Sequence, residues 1–117
     1  MEALIKALNN TYAGFRHALR SERAIQQEAI ALLIGVPLAL VIGAGLWQRL
    51  AMIGSILIVM AIELLNTCVE KLCDHITPEH HPQIKIVKDM GSAAVFCALV
   101  VAAMIWLAAL AERFSLF

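Results

Sequence analysis

Two carboxylates, Glu63 and Glu70, sit inside a stretch that otherwise reads as a membrane-spanning helix, Ile58 to Glu70. An ionised carboxylate at bilayer depth costs roughly 3 kcal/mol or more on insertion scales. At about 100° per residue, Glu63, Asn66, Glu70 and Asp74 fall within roughly 80° of one helix face. A stripe of acidic and amide oxygens suits a hard cation and a proton acceptor. Glu63 lies about 10 Å deeper than Glu70 at the helical rise per residue. It could take the proton of a hydroxyl held at that depth. It could equally be a structural acid hydrogen-bonded to a neighbouring helix, or an ion or proton relay in a small channel or transporter subunit.

Other polar residues converge on one level of the chain. Glu22 and Glu28 precede the first apolar run, Glu70 and Asp74 end the second, and Lys88, Asp89 and Ser92 begin the third. Carboxylates from separate helices, joined by a lysine, suit Mg²⁺ and nucleotide phosphates. No G-x-x-x-x-G-K-[ST] run or Gly-rich kinase loop is present, so any nucleotide site is of another kind. His75, His80 and His81 lack paired zinc-ligand spacing. They read as solvated loop residues or as nucleotide contacts. Cys68, Cys73 and Cys97 also lack zinc spacing and read as small packing residues.

The elements that must carry these groups are legible in the composition. The chain has 117 residues, 62% of them hydrophobic, with mean hydropathy +0.83, well above a soluble domain. The excess falls in three runs. Ala29 to Trp47 has no charge, Leu50 to Val69 has only Glu63, and Met90 to Ala111 has none. Each is close to the ~20 residues that cross the hydrocarbon core. The expected fold is an all-α membrane protein, a single domain over residues 1–117. It has spans at about 29–47, 49–73 and 86–112 and an amphipathic surface helix over about 1–27. In that surface helix Leu4, Leu8, Tyr12, Phe15 and Leu19 recur at steps of three or four, with arginines free to meet anionic headgroups. Pro37 falls inside the first span, where it can kink the helix. Trp47 and Trp106 read as interfacial anchors. Three short-linked spans leave few interior positions, so polar groups on them call for a second subunit.

Net charge is zero, but its distribution is uneven. Lys6, Arg16, Arg20, Arg23, Lys71, Lys85 and Lys88 fall on one side of the spans, and Arg49 and Arg113 on the other. The positive-inside rule then puts the N-terminus and the 73–88 loop in the cytoplasm. The first apolar run lies too far from the start for a cleaved signal peptide. No nucleic-acid partner is expected.

The segment Glu63-Leu-Leu-Asn-Thr-Cys-Val-Glu70, then Asp74, then Lys88-Asp-Met-Gly-Ser-Ala-Ala94, resembles the signature of the prokaryotic diacylglycerol kinase family. Ser21 to Glu28 resembles that family's entry to its first span. The resemblance implies a homotrimeric kinase of the bacterial inner membrane, with sites shared between subunits. It implies transfer of the γ-phosphoryl of MgATP to a lipid hydroxyl. By that resemblance Glu63 is the general base, and Glu22 and Glu70 hold Mg²⁺ and meet ATP. Asn10, Glu79, His80, His81, Lys88 and Asp89 take the remaining nucleotide positions. Arg16, Ala24, Gln27, Glu28 and Ser92 join Glu63 near the lipid, with Asn66 and Asp74 as supporting polar residues. The sequence departs from the family at Asn10, where an aromatic residue is common, and at Ala3, where a basic one is. Two lipid branches exist in the family. Gln27-Glu28 and Lys88 to Ala94 look more like the diacylglycerol branch, with undecaprenol as the alternative.

Overall fold

A computed structural model describes residues 1–77, 79 and 81–116. Four α-helices follow one another: α1 (Glu2–Ser21), α2 (Arg23–Ile42), α3 (Leu46–Ile76) and α4 (Pro82–Arg113), with no strand among the described residues. The last three are long and apolar enough to cross a bilayer. α3 and α4 are 31 and 32 residues long, against the ~20 that a bilayer requires. The surplus turns extend the helices beyond the hydrocarbon. At the Thr77–His81 end they carry Glu70, Asp74, Lys85 and Lys88.

The apolar helices pack together, most extensively α3 on α4 and α2 on α3, with smaller contacts of α1 on α2 and α2 on α4. A small core of Ala39, Met52 and Ala109 closes the end away from the Thr77–His81 connection, flanked by Ile42, Ile53, Ile105 and Trp106. Small residues let the helices approach. At Gly35 an added Cβ would run into the Ile56 side chain and reach the Trp106 ring, which is how small residues set spacing between membrane helices. α2 continues through Pro37 to Ile42 without a break. Its fixed φ is compatible with a helix, and only one ladder bond is lost.

The amphipathic segment is shorter than the sequence suggests. Helix α1 stops at Ser21, and Glu22 takes an extended backbone (φ −112°, ψ 112°). Arg23 to Gln27, counted above with the surface helix, belong to the first turns of α2. Side chains explain the elbow. Ser21 Oγ donates to the His17 carbonyl at 2.8 Å. Gln26 Nε2 folds back to the Leu19 and Arg20 carbonyls at 3.0 and 3.4 Å. Carbonyls left over at a helix end are thereby satisfied. α1 is exposed along most of its length and buries only Ala18, so its apolar face stays open for a membrane surface or another chain.

Two further expectations change. The break between the second and third spans is narrow, because α3 runs to Ile76 and α4 starts at Pro82. Asp74 to Ile76 and Pro82 to Lys85, outside the expected spans, are therefore helical, and the connection is Thr77–His81. Pro82 sits at the first helical position and His81 Nδ1 accepts from the Gln83 N–H at 3.1 Å, a strong start signal. Trp106 is not an outer anchor. It is half-buried between helices, and Nε1 donates to the Met52 carbonyl at 3.0 Å and to Ser55 Oγ at 3.1 Å. An indole N–H inside a membrane bundle needs such an acceptor. Trp47, in contrast, is exposed near the start of α3.

Candidate functional site

The stripe on α3 is the spine of the site. Glu63 and Asn66 are half-buried, while Glu70 and Asp74 are exposed. Asn66 Nδ2 donates to Glu70 Oε1 at 3.2 Å, the i,i+4 geometry of a helix face. The other end of the Asn66 amide presses on α4. A Cβ placed at Gly91 would overlap Asn66 Oδ1. That oxygen is buried with no hydrogen-bond partner among the described residues. Gly91 thus lets α4 close onto the stripe at the level where Asn66 orients Glu70.

α4 contributes the cation. Lys88 Nζ lies 2.6 Å from Asp74 Oδ1, and Glu70 is within electrostatic reach of the same ammonium. One turn earlier, Lys85 Nζ pairs with Asp89 Oδ2 at 2.7 Å. Asp74, Thr77, Glu79, His81, Ile84, Lys85 and Lys88 line an open hollow of about 250 Å³ at this end of the bundle. It is polar and solvent-facing, with two ammonium groups and a helix start on its wall. The Asp74 and Glu79 carboxylates share that wall and both lysines are paired, so an anion enters by displacing a carboxylate from an ammonium.

α2 and the elbow supply further carboxylates. Glu28, half-buried on α2, and Glu63 are close enough to feel each other's charge, as are Glu63 and Glu70. Three carboxylates from two helices therefore line one polar seam. Glu22, at the elbow, is bound by Lys71 Nζ at 2.8 Å. Lys71 follows Glu70 on α3 and so ties the elbow to the helix that bears the stripe.

The structure thus gathers Glu28, Glu63, Asn66, Glu70, Asp74 and Lys88 into one seam. Glu79 and His81 lie at its polar mouth, where His81 also caps α4. Asp89 is taken up by Lys85, and Ser92 is exposed on α4. Ala24 is half-buried and Gln27 exposed on the first turns of α2. Asn10 and Arg16 are exposed on α1, a helix with no substantial packing on α4. Within one chain they are not joined to the Lys88 end. His80 lies outside the described residues. An apolar groove of about 850 Å³ runs between α1 and α3, lined by Gly14, Phe15, Ala18, Leu64, Leu65 and Cys68 among others, with Glu22 and Lys71 also in its wall.

Lys71 and Lys85 were counted in the sequence only as charges setting orientation. Only their places beside acidic residues had a local signal. Lys71 adjoins Glu70, and Lys85 stands four residues before Asp89. Lys71's partner across the elbow had no such signal, since the bend at Glu22 brings it there.

The carboxylates suit a divalent ion held jointly with a nucleotide. Among the described residues no cluster of three or more His, Cys, Asp or Glu forms a closed metal cage. Mg²⁺ characteristically binds through one or two carboxylates plus phosphate and water oxygens. Glu22 already draws a cation to its Oε1, and Glu70 is exposed with its Oε1 oriented by Asn66. The donor set fits.

Comparison with known proteins extends over the whole site. The prokaryotic diacylglycerol kinase family matches residues 9–110. A protein of Escherichia coli (strain K12) named diacylglycerol kinase is 37% identical over 112 residues, 96% of this chain and 92% of the relative. One of Haemophilus influenzae with the same name is 37% identical over 103 residues, covering 88% and 87%. One of Pseudomonas aeruginosa, likewise named, is 35% identical over 106 residues, covering 91% and 86%.

Proposed function

We propose, from the premise that this chain belongs to the prokaryotic diacylglycerol kinase family and is a kinase that phosphorylates diacylglycerol, a division of labour among its residues. The observation that carries it is the α3 stripe, which runs from half-buried Glu63 through Asn66 and Glu70 to the Asp74–Lys88 pair at the polar mouth. Lipid and nucleotide arrive from different phases, and the stripe crosses from one to the other. The relatives' shared name favours diacylglycerol over undecaprenol, and membership of an enzyme family leaves the channel reading without support.

ATP enters at the hollow between the end of α3 and the start of α4, with its phosphates toward Lys88 and Lys85. Lys88 exchanges Asp74 for phosphate oxygens and stabilises the charge that builds during transfer. Glu22 and Glu70 hold Mg²⁺, which when bound neutralises β- and γ-phosphate charge. Asn66 keeps Glu70 in place by its hydrogen bond. The diacylglycerol hydroxyl approaches laterally, beside Glu63, with Arg16, Ala24, Gln27, Glu28 and Ser92 around the lipid. Glu63 accepts the hydroxyl proton as the oxygen bonds to the γ-phosphorus. The bond from that phosphorus to the β,γ-bridging oxygen breaks, giving phosphatidic acid and ADP. Asn10, Glu79, His80, His81 and Asp89 are assigned to the nucleotide side. Positioning supplies a large share of the rate.

The assembly is a homotrimer of the bacterial inner membrane, with the N-terminus and the Thr77–His81 connection cytoplasmic. Support comes from the seven-to-two division of basic residues and from the polar seam, which a single chain leaves partly uncovered. α1 serves a neighbouring subunit's site, which accounts for Asn10 and Arg16 standing clear of α4 in their own chain.

The assay is direct. Purified protein in lipid bicelles is given MgATP and, separately, diacylglycerol, undecaprenol and monoacylglycerol. Phosphatidic acid should form fastest. Preferred phosphorylation of undecaprenol would reject the substrate, and no transfer to any lipid alcohol would reject the division of labour.

A further inference from the structure

The ion pair between Lys71 and Glu22 stands apart from the other two among the described residues. Lys85–Asp89 is a pair within one helix, and Lys88–Asp74 joins α4 to α3 across their connection. Lys71 reaches instead from α3 to the one non-helical residue between α1 and α2. Glu22 has an extended backbone there, held by its N–H on the Ala18 carbonyl at 2.8 Å and by the Gln26 N–H on its own carbonyl at 3.0 Å, so only its side chain is left to be fixed. Its carboxylate keeps only 23% of its side-chain surface exposed, and the lysine 56%. Glu22 and Lys71 both line the groove between α1 and α3. The ammonium therefore sits where a cation bound by Glu22 would sit. It is attached to the residue that follows Glu70, the second carboxylate assigned to Mg²⁺.

We propose that Lys71 is a positioning residue: its ammonium holds Glu22 against α3 while no metal is bound, and yields that carboxylate when the metal–nucleotide arrives. This rests on the reading of Glu22 and Glu70 as the metal pair. The Glu22 side chain would otherwise swing freely, and a carboxylate without a counter-charge repels any other brought near it. A tethered ammonium removes both difficulties. The consequence is competition. An exposed ion pair is weak, so a divalent ion displaces it readily. Every metal-binding event must still do so. Removing the lysine therefore strengthens metal binding, while a lysine that served the phosphates would weaken binding when removed.

The test measures binding, not turnover. Wild type, Lys71→Met, Lys71→Arg and Glu22→Gln are placed in lipid nanodiscs with a non-hydrolysable ATP analogue at fixed concentration. Bound Mn²⁺ is followed by electron paramagnetic resonance, with helicity by circular dichroism as the folding control. Lys71→Met should lower the Mn²⁺ half-saturation about 3–10-fold, as expected for loss of one exposed positive charge beside the site. Lys71→Arg, which keeps the charge, should stay within about twofold of wild type on the same grounds. Glu22→Gln should raise the half-saturation. If Glu22→Gln raises it but Lys71→Met leaves it unchanged or raises it, the metal pair stands and the role given to Lys71 is overturned. If Glu22→Gln leaves the titration unchanged, Glu22 is not a ligand and both are overturned.

Discussion

Lys88 Nζ of α4 lies 2.6 Å from Asp74 Oδ1 of α3, across a connection of only five residues, Thr77–His81. The side chains are 37% and 63% exposed. A pair so open to solvent adds little to stability. It keeps a cation parked beside Glu70 at the polar mouth of the bundle. Lys88→Met should therefore spare the fold and damage the chemistry. Unfolding in detergent should stay close to wild type. kcat/KM for MgATP should fall about 10²-fold or more, as when a charge-stabilising donor is removed. Detergent unfolding curves and initial rates measured on the same preparation check both.

Gly91 should be intolerant of a methyl group for a reason tied to Asn66. A Cβ there would overlap the Asn66 amide oxygen, and the amide could evade it only by leaving Glu70. Alanine improves helix propensity by about 1 kcal/mol, but the overlap costs about 1–3 kcal/mol. Gly91→Ala should be neutral to about 2 kcal/mol destabilised, with Glu70 mispositioned and activity lost. The double variant Asn66→Ala/Gly91→Ala should regain stability without regaining activity. Unfolding and kinetics of the two variants decide it.

Trp106 should contribute to stability without touching the chemistry. Its N–H bonds to Met52 and Ser55 lie toward the end of the bundle away from the Thr77–His81 connection. Trp106→Phe should cost about 0.6–1.7 kcal/mol, as hydrogen bonds between membrane helices do. The KM values for both substrates should stay at wild-type level. Intrinsic fluorescence of the remaining Trp47 can follow the unfolding.

The sequence made the all-helical fold and the stripe legible because both rest on local periodicity. Three apolar runs separated by prolines, glycines and charges leave little alternative to three spans. Glu63, Asn66, Glu70 and Asp74 share a face by helical geometry alone. What stayed hidden depends on contacts between distant segments. The elbow at Glu22 breaks a run with good helix formers on both sides, and it is fixed by Gln26 folding back on α1. Trp106 resembled a membrane anchor because tryptophan commonly is one, whereas its partner Ser55 lies 51 residues away. The Lys71–Glu22 pair depends on that elbow and inherits its obscurity.

Assembly is testable through the uncovered seam. Glu63 and Asn66 are only half-buried in one chain, and Glu70 is exposed. Facing lipid with these groups is costly, so a neighbouring subunit should cover them. Light scattering with the detergent contribution subtracted should give three times the chain mass of 12.8 kDa. Strictly monomeric protein with full activity would contradict a site shared between subunits.

The most direct measurement is turnover and nucleotide binding by Glu63→Gln, side by side. The amide matches the carboxylate in shape and cannot serve as the base, so it isolates proton acceptance. Phosphatidic acid formation should fall about 10²–10⁴-fold in kcat, the usual share of general base catalysis. Binding of a non-hydrolysable MgATP analogue should remain within about twofold of wild type, because Glu63 meets the lipid hydroxyl and not the phosphates. Retention of near-wild-type kcat by a folded Glu63→Gln enzyme would show that this carboxylate is not the proton acceptor.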